Sequence, residues 1–247
     1  MKAAATAQLR LLDLQANDTA IAQFEHRRRS LPEHAAIAEA RSARAKLAEA
    51  LVAARTKVAD LQLEQDKAEA DLVPVRERRV RDQERVDNGS ITDPKQINAM
   101  LDEIAHLGRR ISDLEDIELE VMEQVEAATA EHDKLAEELS ELESSARALI
   151  ASRDTQVAEL DDQIREHQAI RDGIAAEIPA DLLALYDRIR VRAGGTGVAP
   201  LKGRRCGGCK IEATPIALQT YASAAPDDVV RCEECERLLV RTGAVDA

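Results

Sequence analysis

The sequence is poor in the residues that build large compact cores. Its 247 residues include no Trp, one Phe (Phe24) and two Tyr (Tyr186 and Tyr221). Aromatic side chains supply much of the buried area in compact domains, so Ala, Leu, Ile and Val must form most of any core. Charged residues make up 33% of the chain, which is typical of long helices and coiled coils. So charged a chain could also be disordered, but the regular apolar spacing described below argues against disorder.

Long apolar runs are also missing. No segment approaches the roughly 20 apolar residues that a membrane-spanning helix needs. Arg10 and Asp13 interrupt the apolar start of the chain, which makes it a poor signal peptide. We therefore expect a cytoplasmic protein without a membrane partner. Net charge is +1 over residues 1–88, −15 over 89–178 and +1 over 179–247. An acidic chain does not attract nucleic acid from a distance, so such binding would need a local basic patch.

Apolar residues recur with the period of a coiled coil on both sides of one turn. The seam before the turn consists of Leu47, Leu51, Ala54, Val58, Leu61, Ala68, Leu72 and Val75. The seam after it begins with Ile97, Leu101, Ile104, Gly108, Ile111 and Leu114, and it continues to Ile164. Both limbs are therefore predicted to be helical and to bury one stripe each.

The turn is DNGSITDP at residues 87–94. Asn88-Gly89 suits a left-handed turn, and Asp93-Pro94 suits the start of the next helix. The limbs on either side are nearly equal in length, so we predict an antiparallel coiled-coil hairpin over residues 1–178 with its turn near 88–93. SLPE at 30–33 predicts a break within the first limb. An intermolecular coiled coil and one continuous rod remain alternatives.

The helical period ends before the C-terminus. IPADLLALYDRIRVR at 178–192 predicts a short helix, and AGGTGVAPLKG at 193–203 is interpreted as a Gly-rich linker. We therefore assign residues 179–203 to a short helix and linker, and 204–247 to a separate small module. The predicted fold class is mostly α: a long antiparallel coiled-coil hairpin of helices carrying a small C-terminal module.

All four cysteines lie in that module as two Cys-x-x-Cys pairs. They are Cys206, Cys209, Cys232 and Cys235. Two such pairs supply four thiolates from two tight turns, which is the ligand set of a structural zinc ion. The small C-terminal module is therefore predicted to be a zinc ribbon. In a reducing compartment this pattern favours metal over disulfides, and a module this small needs the metal to fold. A thioredoxin-like redox pair is the alternative, but neither pair follows a predicted strand and opens a helix.

Basic residues are concentrated just before and at the first pair. Six of them lie in an 18-residue stretch without an acid: Arg188, Arg190, Arg192, Lys202, Arg204 and Arg205. They could contact phosphates or a partner, or simply be solvated. A second cluster at Arg76, Arg78, Arg79 and Arg81 is expected to pair with acids across the hairpin, such as Glu103, Asp113 or Glu115. The acidic second limb is a solvated face or a docking surface for a basic partner.

The sequence resembles bacterial proteins that carry a long coiled-coil hairpin followed by a C4-type zinc ribbon. The resemblance covers most of the chain and is strongest in TDPKQINAMLDEIAHLGRRISDLEDIELEVMEQVE, YDRIRVRAGGTGVAPLKGRRCGGCK and RCEECERLLV. The four cysteines match the family's zinc ligands. The family's second pair usually has the form Cys-Pro-x-Cys-Gly followed by a strand with an aromatic residue. Glu233 and Glu236 replace Pro and Gly here, and the strand Leu238-Leu239-Val240 has no Tyr, which puts contacts made by that aromatic residue in doubt.

The resemblance implies a non-enzymatic adaptor or chaperone with one structural Zn²⁺ per chain. Some family members are chaperone-like proteins of flagellar or type III secretion systems that also bind an alternative sigma factor or messenger RNA. A sigma factor or a secretion component is thus the implied protein partner. We find no catalytic constellation in the sequence, and we expect neither catalysis nor a small-molecule substrate. The alternative function is a nucleic-acid-binding ribbon that uses residues 188–205.

Overall fold

The computed structural model describes residues 1–242. Two compact units are formed, one by Met1–Ala35 with the chain from Ile150 onward, and one by Ala36–Leu149. We find no described helix that is both long and apolar enough to cross a membrane. The helices are α1 (Ala5–Arg29), α2 (Pro32–Asp87), α3 (Pro94–Ala176), α4 (Ala180–Arg192) and α5 (Pro215–Ser223), and the strands are β1 (Val198–Lys202), β2 (Arg205–Cys206), β3 (Val230–Arg231) and β4 (Leu238–Arg241).

The unit at residues 36–149 confirms the predicted hairpin. Helices α2 and α3 are separated by residues 88–93, where Gly89 has φ of 69°. The Asn88 side chain accepts a hydrogen bond from the Ser90 N–H at 3.0 Å, and the Asp93 carboxylate accepts one from the Lys95 N–H at 3.1 Å. These contacts turn the chain and start the next helix.

Ion pairs across the hairpin fix its antiparallel register. Arg76 contacts Glu115 at 2.6 Å, and Arg78 contacts Glu103 at 2.8 Å. Both pairs agree with the expectation that the basic cluster near the turn meets acids of the other limb. Farther from the turn, Arg44 contacts Glu143 at 2.7 Å. Between these pairs Leu72 packs with Ile111 and Leu114, so residues 66–73 of α2 lie beside about residues 112–120 of α3.

Most of the predicted seam is buried or half-buried, with one local difference. Leu61, Leu72, Ile111 and Leu114 are buried, and the other first-limb positions are half-buried. Leu101 is 44% exposed, whereas Leu107 is buried. The prediction was wrong there because the large Leu107 side chain fills the place assigned to Gly108. One step of the helix earlier, Met100 is half-buried in place of Leu101.

The other unit has a core that joins helices to a sheet. Helix α1, the end of α3, helix α4 and two strands contribute apolar side chains to it. The buried members are Ala3, Ala7, Leu11, Leu14, Ile174, Ile178, Leu182, Tyr186, Ile189, Val198, Leu238 and Val240. Burial of this apolar surface is the main force that holds the strands against the helices.

The sheet is four-stranded with the order β2-β1-β4-β3. Strands β1 and β4 are parallel, and each pairs with an antiparallel outer strand. Since side chains alternate along a strand, the sheet has two apolar faces. Val198, Leu238 and Val240 pack on the helices, whereas Ala199, Leu201 and Leu239 pack on α5 and the cysteines.

The Gly-rich linker is shorter than the predicted linker at residues 193–203. Only residues 193–197 connect α4 to the sheet, because residues 198–202 form the central strand β1. This strand has little local signal, since it is short and contains Pro200 in its middle. Its pairing with β4, which lies about 40 residues later, defines it. The C-terminal module, as we call it below, therefore spans residues 198–242.

The first residues of the chain join the C-terminal module. Ala3 N–H donates to the Asp227 carbonyl at 2.8 Å, and Val229 N–H donates to the Met1 carbonyl at 3.2 Å. Lys2 and Asp228 form an isolated antiparallel bridge. The start of the chain is thereby fixed to the segment that precedes β3.

Candidate metal centre

The two cysteine pairs lie in two turns of the C-terminal module. Cys206 is the last residue of β2 and Cys232 follows β3 directly, so each pair begins where a strand ends. Cys206 and Cys232 are buried, while Cys209 and Cys235 are half-buried. The sheet thus places one buried and one more accessible thiol from each turn at the same edge of the module.

The four sulfur atoms form one compact cluster. All lie within 4.8 Å of one another. Sγ of Cys206 is 3.9 Å from that of Cys235, and Sγ of Cys209 is 3.9 Å from that of Cys232. A tetrahedral ion with metal–sulfur bonds of about 2.3 Å separates its ligands by about 3.8 Å. The donor set therefore fits a four-coordinate metal ion, and all four cysteines are free thiols.

The two cysteine turns have the same backbone hydrogen bonds. In the first, Cys206 N–H donates to the Ile211 carbonyl at 3.1 Å; in the second, Cys232 N–H donates to the Arg237 carbonyl at 2.9 Å. The residue after each second cysteine donates back to the carbonyl of the first cysteine at 2.9 Å in both turns. The centre is thus built from two equivalent turns that face each other.

Each turn holds one residue in the left-handed backbone conformation, and in both turns that residue is not glycine. Lys210 has φ of 65° and Glu236 has φ of 60°, and each directly follows the second cysteine of its pair. Side chains with a Cβ cost roughly 1–2 kcal/mol in this conformation. Position 236 is where the family resemblance implies Gly, so the replacement leaves the backbone shape intact but adds strain.

Replacing Lys210 by Gly should stabilise the module. Glycine adopts positive φ without the steric cost of a Cβ, although it loses more backbone entropy on folding. We expect K210G to raise the free energy of unfolding by up to about 1 kcal/mol, measured by denaturant unfolding of the metal-loaded protein. K210A is the matched control, because it removes the same charge and keeps the Cβ. A gain equal in both variants would contradict strain at this position.

Gly207 allows the first turn to approach the sheet. Its N–H donates to the Pro200 carbonyl at 2.9 Å, and a Cβ at this position would lie 2.8 Å from the same oxygen. The neighbouring Gly208 N–H lies 3.3 Å from Sγ of Cys206 and points a donor at the sulfur. Such donors stabilise a thiolate, as a metal ligand requires.

The surroundings of the sulfurs shift the pKa values of the thiols in opposite directions. Burial raises the pKa of Cys206, and it raises the pKa of Cys232 to about 12. Burial also acts on Cys235, but hydrogen bonds from Arg237 and contacts with neighbouring thiols lower its pKa to about 7. Four thiolates side by side therefore need a cation among them, which is what a bound metal ion supplies.

Part of the predicted basic stretch is neutralised within the module. Arg204 lies 3.0 Å from the Glu212 carboxylate, and Arg205 lies 3.9 Å from it. Arg192 contacts Glu236 at 3.0 Å. Arg188 and Lys202 are exposed, and we find no ion pair for either among residues 1–242. The structure thus does not gather the six basic residues into one unpaired patch.

Arg190 belongs to a buried polar network instead. Its Nε lies 3.4 Å from the Asp18 carboxylate, which also accepts hydrogen bonds from Arg171 at 2.7 Å and from the Tyr186 hydroxyl at 2.6 Å. Asp18 is 5% exposed and Tyr186 is fully buried. Burial and the bond to Asp18 raise the pKa of Tyr186. Residues of α1, α3 and α4 therefore meet at one carboxylate.

Gln15 extends this network to the segment that enters the sheet. Its side-chain oxygen accepts a hydrogen bond from Gly197 N–H at 2.7 Å, and its amide nitrogen donates to the Gly195 carbonyl at 2.9 Å. The Tyr186 hydroxyl lies 3.2 Å from the same oxygen. The sequence analysis missed these residues. The available signal was an Asp at position 18, where the spacing of Leu11 and Leu14 calls for an apolar residue.

The helical part of the chain matches a known family. Residues 14–194 match the CT398-like coiled coil hairpin domain. The chain belongs to the family of CT398-like coiled-coil hairpin proteins. The uncharacterized protein Rv2229c of Mycobacterium tuberculosis is 34% identical over 241 residues, which cover 98% of each chain.

Solved structures agree with this membership. A Mycobacterium smegmatis protein has a TM-score of 0.80 at 34% identity, over 98% of this chain and 100% of that chain. CT398 from Chlamydia trachomatis has a TM-score of 0.63 at 17% identity, over 96% and 98%. At that identity the likeness to CT398 shows the fold alone. The CT398-like fold thus extends over the C-terminal module as well as the hairpin.

Proposed function

We propose that this CT398-like protein is a zinc-dependent, non-catalytic adaptor whose C-terminal module binds a protein partner. The observation that carries the proposal is the cluster of four cysteine sulfurs within 4.8 Å of one another. Four thiolates complete the tetrahedral coordination of zinc and leave no position for water or substrate. The metal would therefore be structural, one ion per chain, held by Cys206, Cys209, Cys232 and Cys235.

The size of the module supports a structural role for the metal. Chains shorter than about 70–80 residues gain little stability from a single apolar core and often rely on a metal or on disulfides, and the module has only Tyr221 as an aromatic core residue. In a reducing compartment such as the cytoplasm, thiols remain available for zinc. Sulfur ligands also suit iron–sulfur clusters, so the metal must be identified by measurement.

Exposed apolar side chains on the module support a protein partner. Ile216 at the start of α5 is 78% exposed, and Ile211 in the first cysteine turn is 49% exposed. Large apolar side chains at the surface of a small module are available for contact with another protein, as they are where such residues form an interaction patch. Arg192, Arg204 and Arg205 already form ion pairs within the protein, so they are less available to bind phosphate groups. A sigma factor or a secretion component, implied by the family resemblance, is the first partner to examine.

Metal content tests the first half of the proposal. We expect protein purified under reducing conditions to carry about one zinc ion per chain by elemental mass spectrometry. When a strong chelator is added, the protein should lose that ion, which native intact-mass measurement would show as a decrease in mass. Substoichiometric zinc together with disulfides between the cysteines, or iron in its place, would overturn the zinc assignment.

Site-specific crosslinking in the native cell tests the second half. A photo-reactive residue at Ile216 should crosslink to one protein, and the crosslink should disappear when Cys232 is replaced by Ser. The same residue placed at exposed Val52 of α2 controls for non-specific capture. Crosslinks from Ile216 to nucleic acid alone, weakened steeply by salt and by neutralising Arg204 and Arg205, would replace the adaptor with the nucleic-acid alternative.

A further inference from the structure

The hairpin unit carries an exposed apolar patch within its most acidic stretch. Leu119 and Met122 of α3 are 57% and 44% exposed, and Val73 of α2 is 47% exposed. Leu119 and Met122 are three residues apart and share one face of α3. Leu72 packs with Ile111 and Leu114, so Val73 lies beside about residue 112 of α3, roughly two helical turns from Leu119 along the hairpin.

Carboxylates surround this apolar centre. Three lie one helical turn from Leu119 or Met122 on α3, and two precede Val73 on α2 by about one and two turns. They are Asp116, Glu123, Glu126, Asp66 and Glu69, and all five are exposed. We find no ion pair for any of them among residues 1–242. We call the three apolar residues with these five carboxylates the acid-rimmed patch.

The charge of the surrounding helix selects the partner. Residues 113–143 contain thirteen carboxylates and one lysine, whereas the facing part of α2 is close to neutral. Only Glu115 and Glu143 of these carboxylates pair with α2. Most of this negative charge is therefore not balanced within the hairpin. A partner that lies along α3 gains from positive charge over a distance of about 45 Å.

We propose that the acid-rimmed patch binds an amphipathic basic helix of another protein. An apolar centre with a polar rim is the usual anatomy of a protein interface, and an amphipathic helix would place its apolar side chains on Leu119, Met122 and Val73. Its lysines or arginines would reach the rim carboxylates. The flexible Met122 side chain adapts to partners of different shape. This surface is separate from the C-terminal module and gives the proposed adaptor a second contact.

A synthetic peptide tests the proposal on the full-length protein. The probe is a helix of about 18 residues, roughly 27 Å long, with Leu on one face and Lys on the other. Fluorescence anisotropy should show saturable binding that weakens with salt. L119S/M122S should weaken it by at least about tenfold, while V52S, which removes an exposed apolar residue elsewhere on the hairpin, should leave it unchanged.

The rim is tested in the same assay. E123Q/E126Q should weaken binding and flatten its salt dependence, whereas E159Q, at an exposed carboxylate of α3 outside the patch, should not. Equal binding by L119S/M122S, or by a scrambled peptide with the same composition, would overturn the proposal. So would self-association in sedimentation that L119S/M122S abolishes, because the occupant would then be a second copy. C232S should bind the peptide normally, so the failure of either proposal can be recognised separately.

Discussion

Replacing Cys232 by Ser should unfold the C-terminal module and loosen the helices packed on it. Cys232 is 5% exposed and lies in the core cluster with Ala199, Leu201 and Leu239. Structural zinc contributes about 10–16 kcal/mol to the folding of small modules, which exceeds what a small apolar core supplies. Loss of one ligand of the proposed zinc ion should therefore remove the main source of stability of this module.

The effect should spread because the sheet has two apolar faces. Val198, Leu238 and Val240 share a core with Leu11, Leu14 and Leu182, so helices α1 and α4 lose part of their packing when the strands unfold. Hydrogen exchange should therefore accelerate at residues 5–29 and 180–192 as well as in the strands. Exchange within residues 36–149, which form a separate unit, should be nearly unchanged.

The control for this prediction is A222S, which introduces a hydroxyl at an exposed position of α5 and leaves the ligands intact. It should keep its metal and its wild-type exchange pattern. Metal-free C232S with normal protection of β1 and β4 would contradict a metal-dependent fold. Protection lost in the strands alone would show that α1 and α4 do not depend on the sheet.

Replacing Asp18 by Ala should cost about 3–5 kcal/mol of folding free energy, since it leaves buried partners without their counter-charge. Arg171 and the Tyr186 hydroxyl both donate to Asp18. Arg190 Nε is buried next to this carboxylate and makes no hydrogen bond within residues 1–242. Whole domains are stable by only about 5–15 kcal/mol. The loss should therefore be visible as a large shift in the denaturation midpoint.

Asp172 provides a matched control for this variant. Its carboxylate lies 3.8 Å from the same Arg171 guanidinium, but its side chain is 64% exposed. Exposed ion pairs contribute about 0–1 kcal/mol, so D172A should be close to wild type. D18N keeps the size of the side chain and should fall between the two. Similar losses for D18A and D172A would contradict the special role of the buried carboxylate.

The hairpin could be predicted from the sequence because its determinants are local. The heptad spacing from Leu47 to Val75 and the turn at 88–93 each occupy a short stretch of chain, and cross-limb charges then agree with the register. The error at Leu101 arose where two neighbouring residues, Leu107 and Gly108, could both satisfy the period. The larger side chain of Leu107 takes the buried position, and the spacing of apolar residues alone does not predict this choice.

The cysteine cluster could also be predicted, because ligand spacing is a local property. The sheet around it could not. Strand β1 is defined by parallel pairing with β4. No local sequence pattern predicts a pairing partner about 40 residues away. The same limit applies to Asp18, whose partners Arg171, Tyr186 and Arg190 lie more than 150 residues later. Ion pairing of Arg204 and Arg205 with Glu212 likewise depends on a turn that only the fold creates.

The contact between Ala3 and Asp227 joins distant parts of the chain, which affects how the protein folds during synthesis. Ribosomes add about 5–20 residues per second, and domains fold as their residues emerge. Helix α1 leaves the ribosome long before several of its partners in the core, Val198 and Leu238 among them, are synthesised. The hairpin at 36–149 contains both of its limbs and can close before then. The apolar face of α1, with Leu11 and Leu14, therefore stays exposed to solvent until the strands of the sheet have been synthesised.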